Sequence, residues 1–265
     1  MKINISRDAR PQVRTLLVAT AITLVIWFIP YAEILTYPFR IFVTFIHEGG
    51  HAIAALLTGN SVASLSVAMN ASGETYTTHG GLFSQMLVSS AGYLGAMLYG
   101  TLLLILIRRS VAARFVLLGS AAFIFALTMI FGLFKPLVSG SWGMLSGVPF
   151  TLAAGILISL GLVVTARYAS ARVASFFVSF LAVQCVLNAL LDLKTVFFLS
   201  SPLGPSVPND AMNMANATGI PAMFWAVVWI GVSFLLLSMA MRFYAISRHE
   251  KATQQDLPFE EPLEV

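Results

Sequence analysis

Two histidines and a glutamate within one apolar segment are the residues best suited by type and spacing to do chemistry. The stretch reads His47-Glu48-Gly49-Gly50-His51. Residues four apart lie on one face of a helix, so both imidazoles can reach one metal ion. Glu48 follows the first histidine and can contact a water molecule at that metal. Because zinc lowers the pKa of a bound water to about 7, this turn predicts a hydrolytic zinc site.

A hydrolytic zinc site needs a third protein ligand, and the acidic residues narrow the choice. Of the eleven Asp and Glu residues, only Glu48 and Asp192 lie within long apolar segments. An ionisable side chain in a membrane is costly and marks a functional site by default. We therefore expect Glu48 to act as general base and Asp192 as third ligand, although Asp192 can also be a helix-end residue paired with Lys194. Asp210 follows Asn209 and is most simply a turn or capping residue; it is the reserve candidate for the third ligand.

Asp192 belongs to a polar stripe, because Gln184, Asn188 and Asp192 recur every four residues. A second stripe, on the histidine segment, comprises Thr44, His47, His51 and Thr58. Polar stripes in a bilayer should face each other or a water-filled cavity. We expect Asn188 to orient substrate or to stabilise an oxyanion. The alternative is that Asn188 and Gln184 only form hydrogen bonds between helices.

The elements that must position these residues are apolar helices. The chain is 58% hydrophobic and 10% charged, whereas soluble domains carry about 25% charged residues. Seven apolar segments approach the ~20 residues needed to span a bilayer: 15–35, 38–58, 82–107, 115–134, 145–166, 173–199 and 221–242. We predict an all-α polytopic membrane protein, a bundle of six to seven transmembrane helices. The net charge of +4 is spread along the chain, which argues against a nucleic-acid partner.

A short β-hairpin is predicted directly after the metal-binding helix. Residues 62–69 alternate apolar and polar side chains, a period of two that indicates a strand. Residues 70–73 are typical of a turn, and 74–78 form the returning strand. The whole is one membrane-embedded domain over 1–242, with its core at about 38–240 and the hairpin at about 61–79. A disordered polar tail is expected over 243–265.

The remaining reactive residues receive simpler interpretations. His79 precedes two glycines and is expected to be a loop residue, and His249 is expected to be solvated in the tail. Cys185 is the single cysteine, so a disulfide framework is excluded. Its side chain is expected to be buried and to contribute to packing, not to chemistry.

The membrane topology has two solutions. Arg108, Arg109, Arg114, Arg167, Arg172 and the tail fit one cytoplasmic side by the positive-inside rule. With seven full spans, this arrangement places the basic amino terminus outside. The conflict disappears if the first two segments together cross the membrane only once.

These residues resemble the site-2 protease family of intramembrane zinc metallopeptidases, closest to its divergent site-2-like branch, over about residues 38–240. The resemblance rests on the histidine motif with Gly59 closing its helix, on the hairpin, on Ala91-Gly92-Tyr93-Leu94-Gly95, and on Asn188-Ala189-Leu190-Leu191-Asp192-Leu193. It implies Zn²⁺ as cofactor, His47, His51 and Asp192 as ligands, and Glu48 as catalytic acid/base. Better-known members place the aspartate in an Asn-Pro-rich motif followed by glycine, which this chain lacks.

The expected function is hydrolysis of peptide bonds in membrane-spanning or membrane-proximal substrates, by a multi-pass protein of a bacterial cell membrane. The alternative is a non-proteolytic zinc-binding scaffold that keeps the fold; a transporter fits less well, because few charges are embedded. Two further expectations concern substrate binding. The strand over 62–69 should offer its edge to an extended substrate, and Gly49 and Gly50 should leave room for a substrate backbone beside the zinc.

Overall fold

The computed structural model describes residues 9–78, 80–139, 147–200 and 208–245, which form eight helices and one two-stranded hairpin. The elements in chain order are α1 (Arg10–Phe28), α2 (Glu33–Leu57), β1 (Val62–Val67), β2 (Gly73–Thr77), α3 (Leu82–Arg108), α4 (Ala113–Ser139), α5 (Val148–Tyr168), α6 (Ala171–Leu199), α7 (Asp210–Thr218) and α8 (Ala222–Ala245). Within α4, the turns Thr128–Phe134 are π-helical.

Five helices in the described part of the chain are long and apolar enough to cross a membrane: α3, α4, α5, α6 and α8. The hairpin follows α2, the helix that carries both histidines. The predicted fold class, an all-α membrane bundle with a hairpin after the metal-binding helix, is therefore confirmed, and the helix count is close to the six or seven expected.

The first two helices run in the same direction along α6. On α1, Pro11 shares a cavity with Ala174 of α6, and further along α1 the hydroxyl of Thr23 accepts a hydrogen bond from the Gln184 amide at 3.0 Å. On α2, the ring of Phe39 lies edge-on to Phe180, with ring centroids 4.7 Å apart. Further along α2, His47 shares a cavity with Asp192 of α6. The two helices therefore do not form an antiparallel pair, which favours the topology in which they cross the membrane together once.

Helix α3 runs antiparallel to α2 and closely against it. The hydroxyl of Ser84 donates to Thr58 at 2.9 Å, and the rings of Phe42 and Tyr99 lie 6.0 Å apart further along. Between these contacts, a Cβ added at Gly50 would collide with the carbonyl oxygen of Ala91. The glycine thus allows two helix backbones to touch beside the histidines.

The expectation that Gly49 and Gly50 leave room for substrate is wrong. Gly50 faces the backbone of α3, and a Cβ at Gly49 would lie 2.6 Å from a methyl group of Leu127 on α4. Both glycines therefore lie in contacts between helices, and neither faces open space beside the metal-binding side chains.

The hairpin pairs a buried strand with an exposed one. Val67 is opposite Gly73 and Leu65 is opposite Thr75, in antiparallel register. β1 is mostly buried, whereas β2 is exposed along most of its length. α2 ends at Leu57, and Gly59, two residues later, has a φ of 77°, the left-handed conformation that favours glycine and turns the chain toward the hairpin.

The prediction that β1 offers a free edge to substrate is wrong, because α5 covers that edge. The Val67 N–H donates to the hydroxyl of Thr151 on α5 at 2.9 Å and therefore points away from β2. In an antiparallel ladder, two residues that face each other behave alike. Either both point their N–H and C=O groups toward the partner strand, or both point them away from it. Gly73 and Thr75 hence direct their N–H and C=O groups away from β1, so the free edge belongs to β2.

Some expectations fall outside the described residues. These are the loop role of His79, the solvated role of His249, and the tail from 246 to 265. Residues 243–245, expected to begin the tail, are part of α8.

Candidate metal centre and catalytic site

The two histidines of α2 meet at their Nε2 atoms, which lie 3.1 Å apart. His51 is 7% exposed, and its Nδ1 lies 2.7 Å from the carbonyl oxygen of Val88 on α3. A proton on Nδ1 that is shared with this carbonyl leaves the Nε2 lone pair free for a metal. The α2–α3 contact therefore orients the ring of His51.

A carboxylate from a distant part of the chain completes this group. Asp210 is the first residue of α7, and the side chain of the preceding Asn209 caps that helix by accepting from the Met212 N–H at 3.1 Å. One carboxylate oxygen of Asp210 lies 3.3 Å from Nε2 of His47 and 3.2 Å from Nε2 of His51. The helix cap thus fixes the residue whose side chain reaches the histidines.

The three donor atoms have the spacing of a tetrahedral zinc site. Zinc bonds to His nitrogen and carboxylate oxygen at about 2.0–2.1 Å, which places tetrahedral ligand atoms about 3.3 Å from one another. The observed separations among His47, His51 and Asp210 are 3.1, 3.3 and 3.2 Å. Among the described residues, these three form the group of His, Cys, Asp and Glu side chains able to hold a metal ion.

Two further properties of the group suit a cation. Burial of the Asp210 carboxyl favours its neutral form, but the charge on His51 and hydrogen bonds from both histidines outweigh burial and hold the pKa of Asp210 well below its usual value. The carboxyl is therefore ionised while His51 is protonated, and a metal that replaced this proton would keep Asp210 ionised, as a ligand must be. Space is provided by Gly92 of α3, where an added Cβ would meet Nε2 of both His47 and His51.

Glu48 lies beside the histidines and is held by the hairpin. It is 4% exposed, and its carboxylate accepts a hydrogen bond of 2.6 Å from the hydroxyl of Thr75 on β2. A Cβ at Gly73 would lie 2.5 Å from the same carboxylate. The hairpin therefore packs directly on Glu48 and leaves it accessible only from a cavity.

That cavity has a volume of about 840 Å³ and is bounded by α2, β2, α3 and α7. His47, Glu48, His51 and Asp210 all line it. Much of the remaining wall is polar and comprises Ser66, Ser72, Glu74, Thr75, Tyr76, Thr77, Thr78, Gln85, Ser89, Asn209, Asn213 and Asn216. The metal-binding group thus opens on a space large enough for an extended segment of several residues.

Asp192, the expected third ligand, lies in an adjoining cavity of about 280 Å³. Thr44 and His47 of α2 line this smaller cavity together with Asn188 and Asp192 of α6, so parts of the two polar stripes face a common space. However, the group that can hold a metal contains Asp210 in place of Asp192. Arg40 of α2 lines the smaller cavity with Asp192 and supplies a cation near that carboxylate.

Asn188 also lines the smaller cavity. Its amide nitrogen donates to the carbonyl oxygen of Gln184 at 2.8 Å and to the Gln184 side chain at 3.1 Å. Gln184 in turn donates to Thr23 of α1. The bond from Gln184 to Thr23 joins two helices, whereas both bonds of Asn188 stay within α6 and engage the amide donors that an oxyanion role would need.

Tyr93 is a site residue that the sequence reasoning named only within a motif. Its ring lies edge-on to His47, with centroids 4.6 Å apart, and 5.7 Å from the ring of Trp229 on α8. It lines both cavities. No hydrogen bond to its hydroxyl is found among the described residues, so this group is available to a molecule in either cavity.

The sequence contained a signal for some of the missed residues. A survey of embedded basic residues, parallel to that of the acids, would have found Arg40 within an apolar segment. Thr75 and Val88 carried no such signal, because a strand threonine and a helix carbonyl are common everywhere. Their roles depend on contacts between elements.

Comparison with known proteins agrees with this geometry. The family model Peptidase M50B-like matches residues 16–240, which include both histidines, Glu48, Asp192 and Asp210. Searches of the curated proteins and of the solved structures give no significant match. The match covers most of the chain and confirms the resemblance to the site-2 proteases. The chain is therefore a member of the Peptidase M50B-like family.

Proposed function

We propose that this protein is an intramembrane zinc metalloprotease that hydrolyses peptide bonds in membrane-spanning or membrane-proximal segments of other proteins, in a bacterial cell membrane. The observation that carries the proposal is the triangle of His47, His51 and Asp210, with sides near those of a tetrahedral zinc site. Glu48 adjoins this triangle, and all four residues open on one cavity.

Asp210, and not Asp192, is the third ligand in this proposal. Two histidines and one carboxylate leave a fourth position for water or substrate, the arrangement of hydrolytic zinc sites. Zinc supplies Lewis acidity there, lowering the pKa of water and polarising a carbonyl. Asp192 takes a supporting role in the smaller cavity, where its charge faces Arg40.

Glu48 moves the protons of the reaction. Its carboxylate takes a proton from the attacking water and later delivers it to the leaving amine, so one residue serves as base and then as acid. The hydrogen bond from Thr75 holds one carboxylate oxygen, and Glu48 lines the cavity in which the water would lie. The low exposure of Glu48 keeps bulk water from competing for this carboxylate.

The hairpin provides a means of binding an extended substrate. Gly73 and Thr75 direct their main-chain groups toward the free side of β2, and both residues line the large cavity. A substrate strand that pairs with this edge would lie beside Glu48, because Thr75 contacts its carboxylate. The substrate-binding role predicted for the hairpin is thus assigned to β2.

A zinc-binding scaffold without proteolytic activity is the competing function. A structural zinc site is usually closed by four protein ligands, whereas the described residues supply three. A scaffold also has no use for a buried glutamate aimed at the cavity. Both features favour the enzyme.

The deciding experiment combines metal analysis with cleavage. Purified wild type and Glu48→Gln are compared for zinc content and for cleavage of β-casein and of a co-expressed single-span reporter protein. We expect equal zinc in both and cleavage only by wild type. Thr165→Val is the control variant, because Thr165 lies on α5 and does not line the cavity, and it should cleave normally. Equal cleavage by Glu48→Gln would eliminate the proposed mechanism.

A further inference from the structure

The arginines of the helical bundle are collected at one end, which we call the arginine end. Six helices begin or finish there with at least one arginine in the terminal turn: Arg10 and Arg14 of α1, Arg108 and Arg109 at the end of α3, Arg114 of α4, Arg167 of α5, Arg172 of α6 and Arg242 of α8. Within the described residues, none of these terminal turns contains Asp or Glu.

Contacts between the helices show that these turns lie together. One cavity of about 580 Å³ is lined by Pro11 of α1, Ile107 of α3, Ala113 of α4 and Ala171 of α6. The guanidinium of Arg108 donates to the carbonyl oxygen of Phe243 at 2.8 Å and so joins the last turns of α3 and α8. α5 reaches the same end, because Tyr168 is separated from α6 by two residues.

The opposite end of the bundle, which we call the hairpin end, is poor in basic residues. It carries the hairpin, the first turn of α3 and α7. The other described cations of the chain are Arg40, Lys135 and Lys194. The sequence between Ser139 and Gly147, and between Ser200 and Pro208, contains no Lys or Arg. Among the described residues, Lys and Arg near helix ends are therefore much more numerous at the arginine end than at the hairpin end.

The metal-binding group lies nearer the hairpin end. Gly92, which touches both histidines, is sixteen residues from Arg108 and ten from Leu82 on α3. At 1.5 Å per residue, these separations are about 24 Å and about 15 Å. Asp210 belongs to α7, and the large cavity is walled by β2, the first turns of α3 and α7. No residue of the arginine end lines that cavity.

We propose that the catalytic cavity opens to the non-cytoplasmic side of the membrane, and that its substrates are the non-cytoplasmic ends of transmembrane segments and the residues that flank them. Basic residues close to helix ends remain in the cytoplasm, so the arginine end is cytoplasmic. The hairpin, α7 and the cavity mouth then face the other side. With seven full spans, the basic amino terminus would lie outside the cell. Because α1 and α2 run in the same direction along α6, the amino terminus instead lies with the other arginines. The substrate half of this inference rests on the proposed protease function.

The orientation can be measured without any cleavage. Cys185 is fully buried and is the single cysteine, so wild type should not react with a membrane-impermeant maleimide. Asn70→Cys introduces a thiol into the exposed hairpin turn, and Ala112→Cys introduces one into the exposed α3–α4 connection. In intact cells we expect labelling of the Asn70→Cys protein, and labelling of the Ala112→Cys protein only after permeabilisation.

Any other labelling pattern overturns the orientation, including labelling of both variants, of neither, or of the Ala112→Cys protein alone in intact cells. The substrate half is tested with a single-span reporter that carries different epitope tags at its two ends. Fragment sizes should place the cut near the non-cytoplasmic end of the span, and a cut near the cytoplasmic end contradicts this. Absence of all cleavage would count against the protease function, while the labelling still decides the orientation.

Discussion

One carboxylate oxygen of Asp210 lies 3.2 Å from Nε2 of His51, although α7 and α2 are far apart in the chain. α7 is also held by apolar packing, because Ala211 and Met214 belong to a buried cluster with Leu193 and Trp229. Asp210 is the first residue of this short helix, so the helix cap and the metal-binding group depend on each other. A metal ion held by these residues would link α2 to α7, the short helix between α6 and α8.

The first prediction concerns the choice of carboxylate. Asp210→Asn keeps the size of the side chain but removes the charge and one strong ligand atom, so zinc content should fall from about one per chain to near zero. Asp192→Asn should retain its zinc, because Asp192 lies outside the group of three donors. Metal content of the purified proteins, measured by mass spectrometry, checks both. Zinc lost from Asp192→Asn and kept by Asp210→Asn would restore the choice made from sequence.

The sequence was sufficient for the half of the site that is local. His47, Glu48 and His51 share one helical turn, and helical periodicity alone places the histidines together. Asp210 could not be found in this way. It lies in a short helix behind a proline-containing connection, where no periodic pattern relates it to α2. The survey of embedded acids therefore favoured Asp192, which the fold brings near His47 but into an adjoining cavity.

In the fold, too, local features were predicted from the sequence and features that depend on distant contacts were not. Apolar segments and a two-residue period predicted the helices and the hairpin, because these patterns follow from local geometry. The free edge of the hairpin was assigned to the wrong strand. Which edge is covered depends on Thr151 of α5, a residue distant in sequence that bonds to Val67. Likewise, the directions of α1 and α2 follow from where each helix meets α6 at two points along its length, which no local sequence pattern predicts.

The second prediction concerns the hydrogen bond that holds Glu48. Thr75→Val preserves the shape of the side chain and removes the donor to the carboxylate. A hydrogen bond to a charged group is worth about 1.5–3 kcal/mol, so kcat/KM for the reporter should fall at least roughly tenfold while zinc content stays constant. Thr165→Val is the matched control, because its hydroxyl bonds only within α5. Unchanged cleavage by Thr75→Val would show that Glu48 does not need this contact.

The third prediction uses the close approach of α3 to the metal-binding group. Gly92→Ala places a methyl group against Nε2 of both His47 and His51, which should displace the rings and abolish zinc binding. Gly119→Ala on α4 is the matched control, since an added Cβ there meets no atom within 4 Å. That variant should keep its zinc and gain up to about 1 kcal/mol of helix stability. Normal zinc content in Gly92→Ala would mean that α2 and α3 can separate at little cost.

The fourth prediction assigns chemistry to Tyr93. Its ring packs against His47 and its hydroxyl has no partner among the described residues, so the phenol is free to donate to the carbonyl oxygen of a substrate in the cavity. Loss of one such donor costs about 10²–10³ in kcat. Tyr93→Phe should therefore lower kcat by about this factor while zinc content remains that of wild type.

The control for Tyr93 must remove a hydroxyl without disturbing the core. Tyr168→Phe suits this purpose, because Tyr168 is 81% exposed at the end of α5 and far from the cavity. It should retain full activity. If Tyr93→Phe lost zinc together with activity, the tyrosine would be supporting His47 through ring packing. If its kcat were unchanged, the negative charge that develops on the substrate would have to be stabilised elsewhere, and the metal-binding group itself would be the remaining candidate.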